Sequence, residues 1–241
     1  MGELHRRSRR VRLAWSIAGL SLITASTLGF VYSGPSRQEA QPVTLSISPN
    51  EGTVFGPATS GMAPFPAVSP DGRKIVFQAQ VPGQDVRLWV GALDSAQAQP
   101  LPGTEGAAIP FWSPDSRAIA FTANGKLKKV DATGGPVLIL CDVLAGHAAE
   151  GTWSRDGIIL FANGPHGPLG SVAGLLRVSA TGGKPESVTT PNKALQEIQH
   201  RAPYFLPDGR HFLFLAQPPN VFYVGSLELS FSFLDNKATS L

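Results

Sequence analysis

Over most of this chain, large apolar side chains alternate with small or polar ones in short runs bounded by Gly, Pro, Asp and Ser. Lys74-Ile-Val-Phe77 and Ala118-Ile-Ala-Phe121 show the period of two residues that predicts β-strands with one face turned to a core. The exception lies near the start, where residues 13–32 run for twenty positions without a charge. At about 1.5 Å per residue such a run matches the roughly 30 Å hydrocarbon core, so a transmembrane helix is expected over 13–34. Trp15, Phe30 and Tyr32 stand where aromatic rings favour headgroups. A cleaved signal peptide is the competing account, but the apolar run is long for one and no Ala-x-Ala follows it. The basic tail 1–12 would stay cytoplasmic, 35–43 would be an exposed linker, and everything beyond would lie outside the inner membrane as a single-pass protein.

Beyond the linker one phrase is written four times. Its copies centre on Ser-Pro-Asp71-Gly, Ser-Pro-Asp115-Ser, Ser-Arg-Asp156-Gly and Leu-Pro-Asp208-Gly, each followed by a β-branched or aromatic run. Successive aspartates are 44, 41 and 52 residues apart, the period of a propeller blade rather than of a helical repeat. Proline presets one torsion, the carboxylate accepts from nearby backbone N–H groups and glycine relieves strain, so each phrase is a tight strand-to-strand turn stabilised by Asp71, Asp115, Asp156 or Asp208.

Third strands are expected at Arg87-Leu-Trp-Val90, Lys126-Leu-Lys-Lys-Val130, Leu175-Leu-Arg-Val178 and Val221-Phe-Tyr-Val224, and fourth strands follow in the first three copies. The fold class is therefore all-β: a partial or small β-propeller of about four four-stranded blades over 44–228, after one N-terminal transmembrane helix. Residues 44–52 could supply an outer strand, and 229–241 are expected to be an irregular tail.

Composition sharpens this picture at three points. Gly 26 and Pro 21, with only 15% charged residues, suit short strands and tight turns. Five of the twenty basic residues precede residue 13, so the body carries fifteen basic against sixteen acidic side chains, too balanced for a nucleic-acid surface. Cys141, the sole cysteine, ends an apolar run and is expected to be buried.

Chemistry is sparse. His147, His166, His200 and His211 lack metal-ligand spacing, no Gly-x-Ser-x-Gly elbow occurs, and the repeated aspartates fall one per blade. No catalytic residue, metal or cofactor is expected. His200 and Arg201 precede an inner strand and could reach the central opening to bind an anion. Trp112 and Trp153, at equivalent positions of neighbouring blades, are expected between blades. The insertions at 164–174 and 192–201 are of the kind that form binding faces.

The aspartate phrases resemble the WD-like repeats of the TolB-type β-propeller family. The string from Leu101 to Asp131, with Gly151-Thr-Trp-Ser-Arg-Asp-Gly and His200-Arg-Ala-Pro-Tyr-Phe-Leu-Pro-Asp-Gly, is similar to the extracytoplasmic half of acidobacterial membrane-bound serine/threonine kinases. The resemblance implies a sensory or binding role. The kinase's Gly-rich loop, His-Arg-Asp and Asp-Phe-Gly motifs are absent from this sequence. The expected function is thus a non-catalytic, membrane-anchored module for an envelope protein, peptide or glycan. The alternative is the sensor half of a kinase whose catalytic domain is not in this chain, with a kinase or a second copy completing the ring.

Overall fold

Each aspartate phrase lies between two paired strands, linking an inner strand to the next one out. The computed structural model describes residues 49–56, 66–95, 97–144, 149–163, 172–218 and the backbone of 228–233. In the first sheet β1 (Val54–Phe55) and β2 (Ala67–Val68) share one edge of β3 (Lys74–Gln80), followed by β4 (Arg87–Ala92) and β5 (Ala98–Pro100). The second is β6 (Ala108–Trp112), β7 (Ala118–Ala123), β8 (Lys126–Asp131) and β9 (Leu138–Asp142). The third is β10 (Gly151–Trp153), β11 (Ile158–Ala162), β12 (Leu175–Ser179) and β13 (Glu186–Ser187), and the fourth β14 (Gln199–Phe205), β15 (His211–Gln217) and β16 (Glu228–Phe233). All pairings between these strands are antiparallel, so each sheet is a meander of the propeller-blade kind.

Alternation explains why the sheets stack. Along β7, Ile119, Phe121 and Ala123 join Val76 and Leu88 of the first blade, whereas Ala120 joins Ile159 and Phe161 of the third. Along β11 the neighbouring Leu160 and Ala162 point the other way, to Phe212 and Phe214 of the fourth. A middle blade therefore buries both faces, and each fully buried Phe or Leu contributes about 2–3 kcal/mol of transfer free energy. The extensive contacts among described residues join blades in chain order: β2 and β3 to β6, β6 to β10, and β10, β11 and β12 to β14.

Two expectations are corrected here. Among the described residues no helix is long and apolar enough to cross a membrane, and the one helical element they hold is the three-residue 3-10 turn Lys193–Leu195. The tail 1–12, the expected span 13–34 and the linker 35–43 lie outside the described residues. The run 13–34 is also diluted by Ser16, Ser21, Thr24, Ser26 and Thr27. The membrane-anchored fold, its membrane contact and the single-pass inner-membrane placement are accordingly withdrawn.

The second correction concerns the last blade. Its third strand is Glu228–Phe233, paired along β15 from His211↔Phe233 to Ala216↔Glu228. The segment expected to be irregular from 229 is therefore strand at its start, while Val221-Phe-Tyr-Val224 lies outside the described residues. At the other end, residues 44–48 are likewise outside. The Asn50 carboxamide meets both backbone groups of Ala98 in β5, at 2.7 and 3.2 Å; residues 49–52 form no strand, and the first strand after them, β1, pairs with β3.

Candidate functional site

The four turns are variants of one device. In the first, Ser69 Oγ donates to Asp71 Oδ1 at 2.5 Å and the Arg73 N–H donates to the same oxygen at 3.1 Å. In the second, Ser113 Oγ and the Arg117 N–H serve Asp115 at 2.6 and 3.1 Å. Both carboxyls are held below their ordinary range, first by the serine hydroxyl. Ser116 replaces the usual glycine at φ 61°. Its hydroxyl accepts the Asp71 N–H of the preceding blade at 3.1 Å, which offsets the strain of that left-handed residue.

The fourth turn has Leu206 in place of the serine. Asp208 compensates by accepting the backbone N–H groups of Arg210 and His211, both at 3.0 Å, and by pairing with the His211 ring. These donors, the His211 N–H foremost, pull its pKa down to about 2.

The third turn departs most. It is one residue shorter, closing from the Ser154 N–H to the Ile158 carbonyl, where the first two close over five residues. The Ile158 N–H is taken by Ser154 Oγ at 3.1 Å. Asp156 thereby loses the backbone donor its counterparts use, and it makes no hydrogen bond among the described residues. Arg155 stands where the other copies have Pro70, Pro114 and Pro207, exposed and without an ion pair among the described residues.

Two cavities meet at this turn. A central opening of about 510 Å³ draws lining from all four blades, including Val68, Trp112, Trp153, Arg155, Tyr204 and Gly209. Val68 and Tyr204 are 52% and 65% exposed there. A second cleft of about 620 Å³ lies between the second and third blades, lined by Asp115, Lys129, Trp153, Arg155 and Ala180 among others. Sequence reasoning passed over Arg155. Its signal was the proline-to-arginine change together with the missing residue after Gly157.

His200 and Arg201 do not form an exposed cationic pair. His200 is buried, with Nδ1 at 2.7 Å from Thr189 Oγ1, Nε2 at 3.0 Å from Glu197 Oε2 and its ring 4.5 Å from that of Phe214. The Thr-His-Glu order resembles a nucleophile relay, but Thr189 Oγ1 is buried and receives the Leu175 N–H at 2.8 Å. It has no room for a substrate. The Glu150 carboxylate neutralises Arg201 at 2.9 Å and also accepts the Ala202 N–H at 2.8 Å. Neither residue offers an anion an uncompensated charge.

Trp112 donates its indole N–H to the Ala67 carbonyl of the first blade at 2.8 Å. Trp153 is half-buried, with Lys129 Nζ 5.9 Å from its ring centroid, and its own N–H has no hydrogen bond among the described residues. Burial, with Asp142 a smaller influence, pushes the Cys141 thiol up to about 11, unsuited to a nucleophile. Among the described residues no three His, Cys, Asp or Glu side chains gather as metal ligands; His147 and His166 lie outside them. No catalytic constellation is present in what is described.

Antiparallel sheets of three to five strands among the described residues, stacked in sequence around a shared opening, define a β-propeller-type fold. No protein-family model matches the chain, and no curated protein matches it in sequence. Among solved structures the fold is similar to a putative TolB from Agrobacterium tumefaciens, with TM-score 0.56 and 16% identity over 72% of this chain and 62% of that one. It is similar also to TolB from Acinetobacter baumannii, with TM-score 0.55 and 15% identity over 73% of this chain and 41% of that one. A prolyl endopeptidase structure matches 73% of this chain with 28% of its own, at TM-score 0.51 and 11% identity. The fold is thus TolB-like, and the chain spans about 62% and 41% of the two TolB chains.

Proposed function

We propose that this chain is a non-catalytic, propeller-type binding domain that takes a partner protein or peptide across its central opening. The observation that carries this reading is the convergence of all four blades on one opening, lined by the exposed Val68 and Tyr204 and by Arg155, a cation without an ion pair among the described residues. An aromatic and an aliphatic contact beside a guanidinium is the composition of interface anchors, whereas a loop held only for packing would not expose them together. The TolB-like fold is compatible with this role and does not specify the partner.

Site-specific photo-crosslinking tests it. A crosslinker at Tyr204 should trap a discrete partner, one at Glu186 on the outer strand of the third blade should not, and Val68→Asp should abolish the Tyr204 adduct. Equal trapping at both positions overturns the reading. For the finer kinship we propose common descent with kinase-associated propellers, on the strength of the Leu101 to Asp131 string; kinase-coding sequence beside this gene would support it and unrelated neighbours would count against it.

A further inference from the structure

The cleft between the second and third blades adjoins the central opening at Pro114 and the Trp153-Ser154-Arg155 edge, and it holds polar groups without a partner among the described residues. Arg155 replaces a residue that is proline in the other three turns. The exchange gives up the preset torsion of proline, worth about 0.4–1 kcal/mol where the backbone suits it. An internal carboxylate partner would offset that, and among the described residues there is none. The indole N–H of the neighbouring Trp153 has no hydrogen bond among the described residues, although its counterpart Trp112 spends the same group on the Ala67 carbonyl. A locally costly choice with no internal compensation is the pattern of a site facing a ligand.

The remaining lining defines the ligand's chemistry. Lys129 crosses the cleft, with Nζ 2.5 Å from the Ala180 carbonyl and near the Trp153 ring. Asp115 is the one acidic side chain of the lining, and its carboxylate is engaged by Ser113 and the Arg117 N–H. Two cations against one occupied carboxylate leave the cleft net positive. Pro114, Ala118 and Ala180 supply apolar wall beside the half-buried indole. A volume of about 620 Å³ is in the range of small-molecule sites.

We propose that this inter-blade cleft binds a small aromatic carboxylate. Its carboxylate oxygens accept from the Arg155 fork and the Trp153 N–H, and its ring lies against the Trp153 and proline wall. This does not rest on partner binding at the central opening, with which the cleft shares only Pro114 and the Trp153-Ser154-Arg155 edge.

Titration calorimetry of the full chain with benzoate, benzamide and acetate tests the assignment. Saturable benzoate binding is expected, with benzamide and acetate each at least tenfold weaker, because one lacks the charge and the other the ring. Arg155→Pro, which restores the residue found in the other turns, should weaken benzoate at least tenfold while far-ultraviolet dichroism stays native. Arg155→Ala repeats the test without altering backbone torsions. Glu186→Ala, on the exposed outer strand of the third blade and in neither cavity, should leave benzoate affinity within twofold. No saturable benzoate binding, equal affinity for benzamide, or wild-type affinity in both Arg155 variants overturns the proposal.

Discussion

The joint between the first and second blades and the joint between the third and fourth do the same mechanical job with different chemistry. The former is held by neutral donors: Trp112 to the Ala67 carbonyl at 2.8 Å, Gln78 to the Ala107 carbonyl at 2.8 Å and the Asp71 N–H to Ser116. Around them packs a cluster built on Val76, Leu88, Ile119 and Phe121. The latter has a charged clamp, Glu150 on Arg201 and the Ala202 N–H, beside the contact of Thr189 Oγ1 with the buried His200 ring at 2.7 Å. A repeat thus fixes where blades meet but not which polar groups seal the seam. Neutral seals are indifferent to salt, whereas a partly buried carboxylate serving two donors leaves both unpaired when it is removed.

The comparison can be broken most severely at Gly174. A Cβ there would stand 1.8 Å from the backbone oxygen of Thr189, and Thr189 is the residue that holds His200. Gly174→Ala should cost about 3 kcal/mol or more, read as a collapsed urea midpoint and loss of the fourth blade's amide protection. A smaller effect tests the contrast in charge. Glu150→Ala should cost about 2–4 kcal/mol and reduce the stability change on raising salt. Trp112→Phe, which keeps a ring but removes one donor, should cost about 1 kcal/mol with the salt response unaltered. Equal salt responses in the two variants would erase the distinction between the seams.

The gentlest probe is acid. The Asp208 pKa is lowered to about 2, beneath the roughly 3.9 of an unfolded aspartate. Its stabilisation is therefore complete above about pH 4 and is lost as pH falls towards 2. Asp208→Asn should flatten that limb of the acid-unfolding curve, while Asp156→Ala should leave the curve superimposable on the parent. A shifted curve for Asp156→Ala would show that the short third turn uses its carboxylate after all.

Those turns also mark how far the sequence could be read. The strands after each aspartate were legible because period-two patterning and turn residues agree: Lys74-Ile-Val-Phe77 lies within β3 and Ala118-Ile-Ala-Phe121 within β7. The third strand of the last blade was not: the continuous apolar run at Val221 to Val224, outside the described residues, drew the expectation, while the alternating Glu228–Phe233 pairs with β15. Also hidden were the register shifts in β6 and β14. There Ile109 and Ala202, each before a proline, take φ 46° and 47°. Proline discourages the right-handed helical region at the preceding residue but does not announce a left-handed one.

The site was less legible than the fold. His200 and Arg201 read as a basic pair because sequence shows adjacency but not the carboxylates of Glu197 and Glu150 that meet them, the latter about fifty residues away. Arg155 was written plainly in its copy of the phrase. Its meaning depends on a residue missing after Gly157, and only the folded turn shows that this omission releases Asp156.

Joints that run in chain order carry a mechanical consequence. Sheets coupled chiefly to their sequence neighbours transmit load in series, so a chain stretched by its ends should yield in steps of one blade, each paying out about 40–50 residues or roughly 15 nm of contour. In an optical trap the salt-sensitive seam should give way first at high ionic strength, which would turn the chemistry of each junction into the order of the rips.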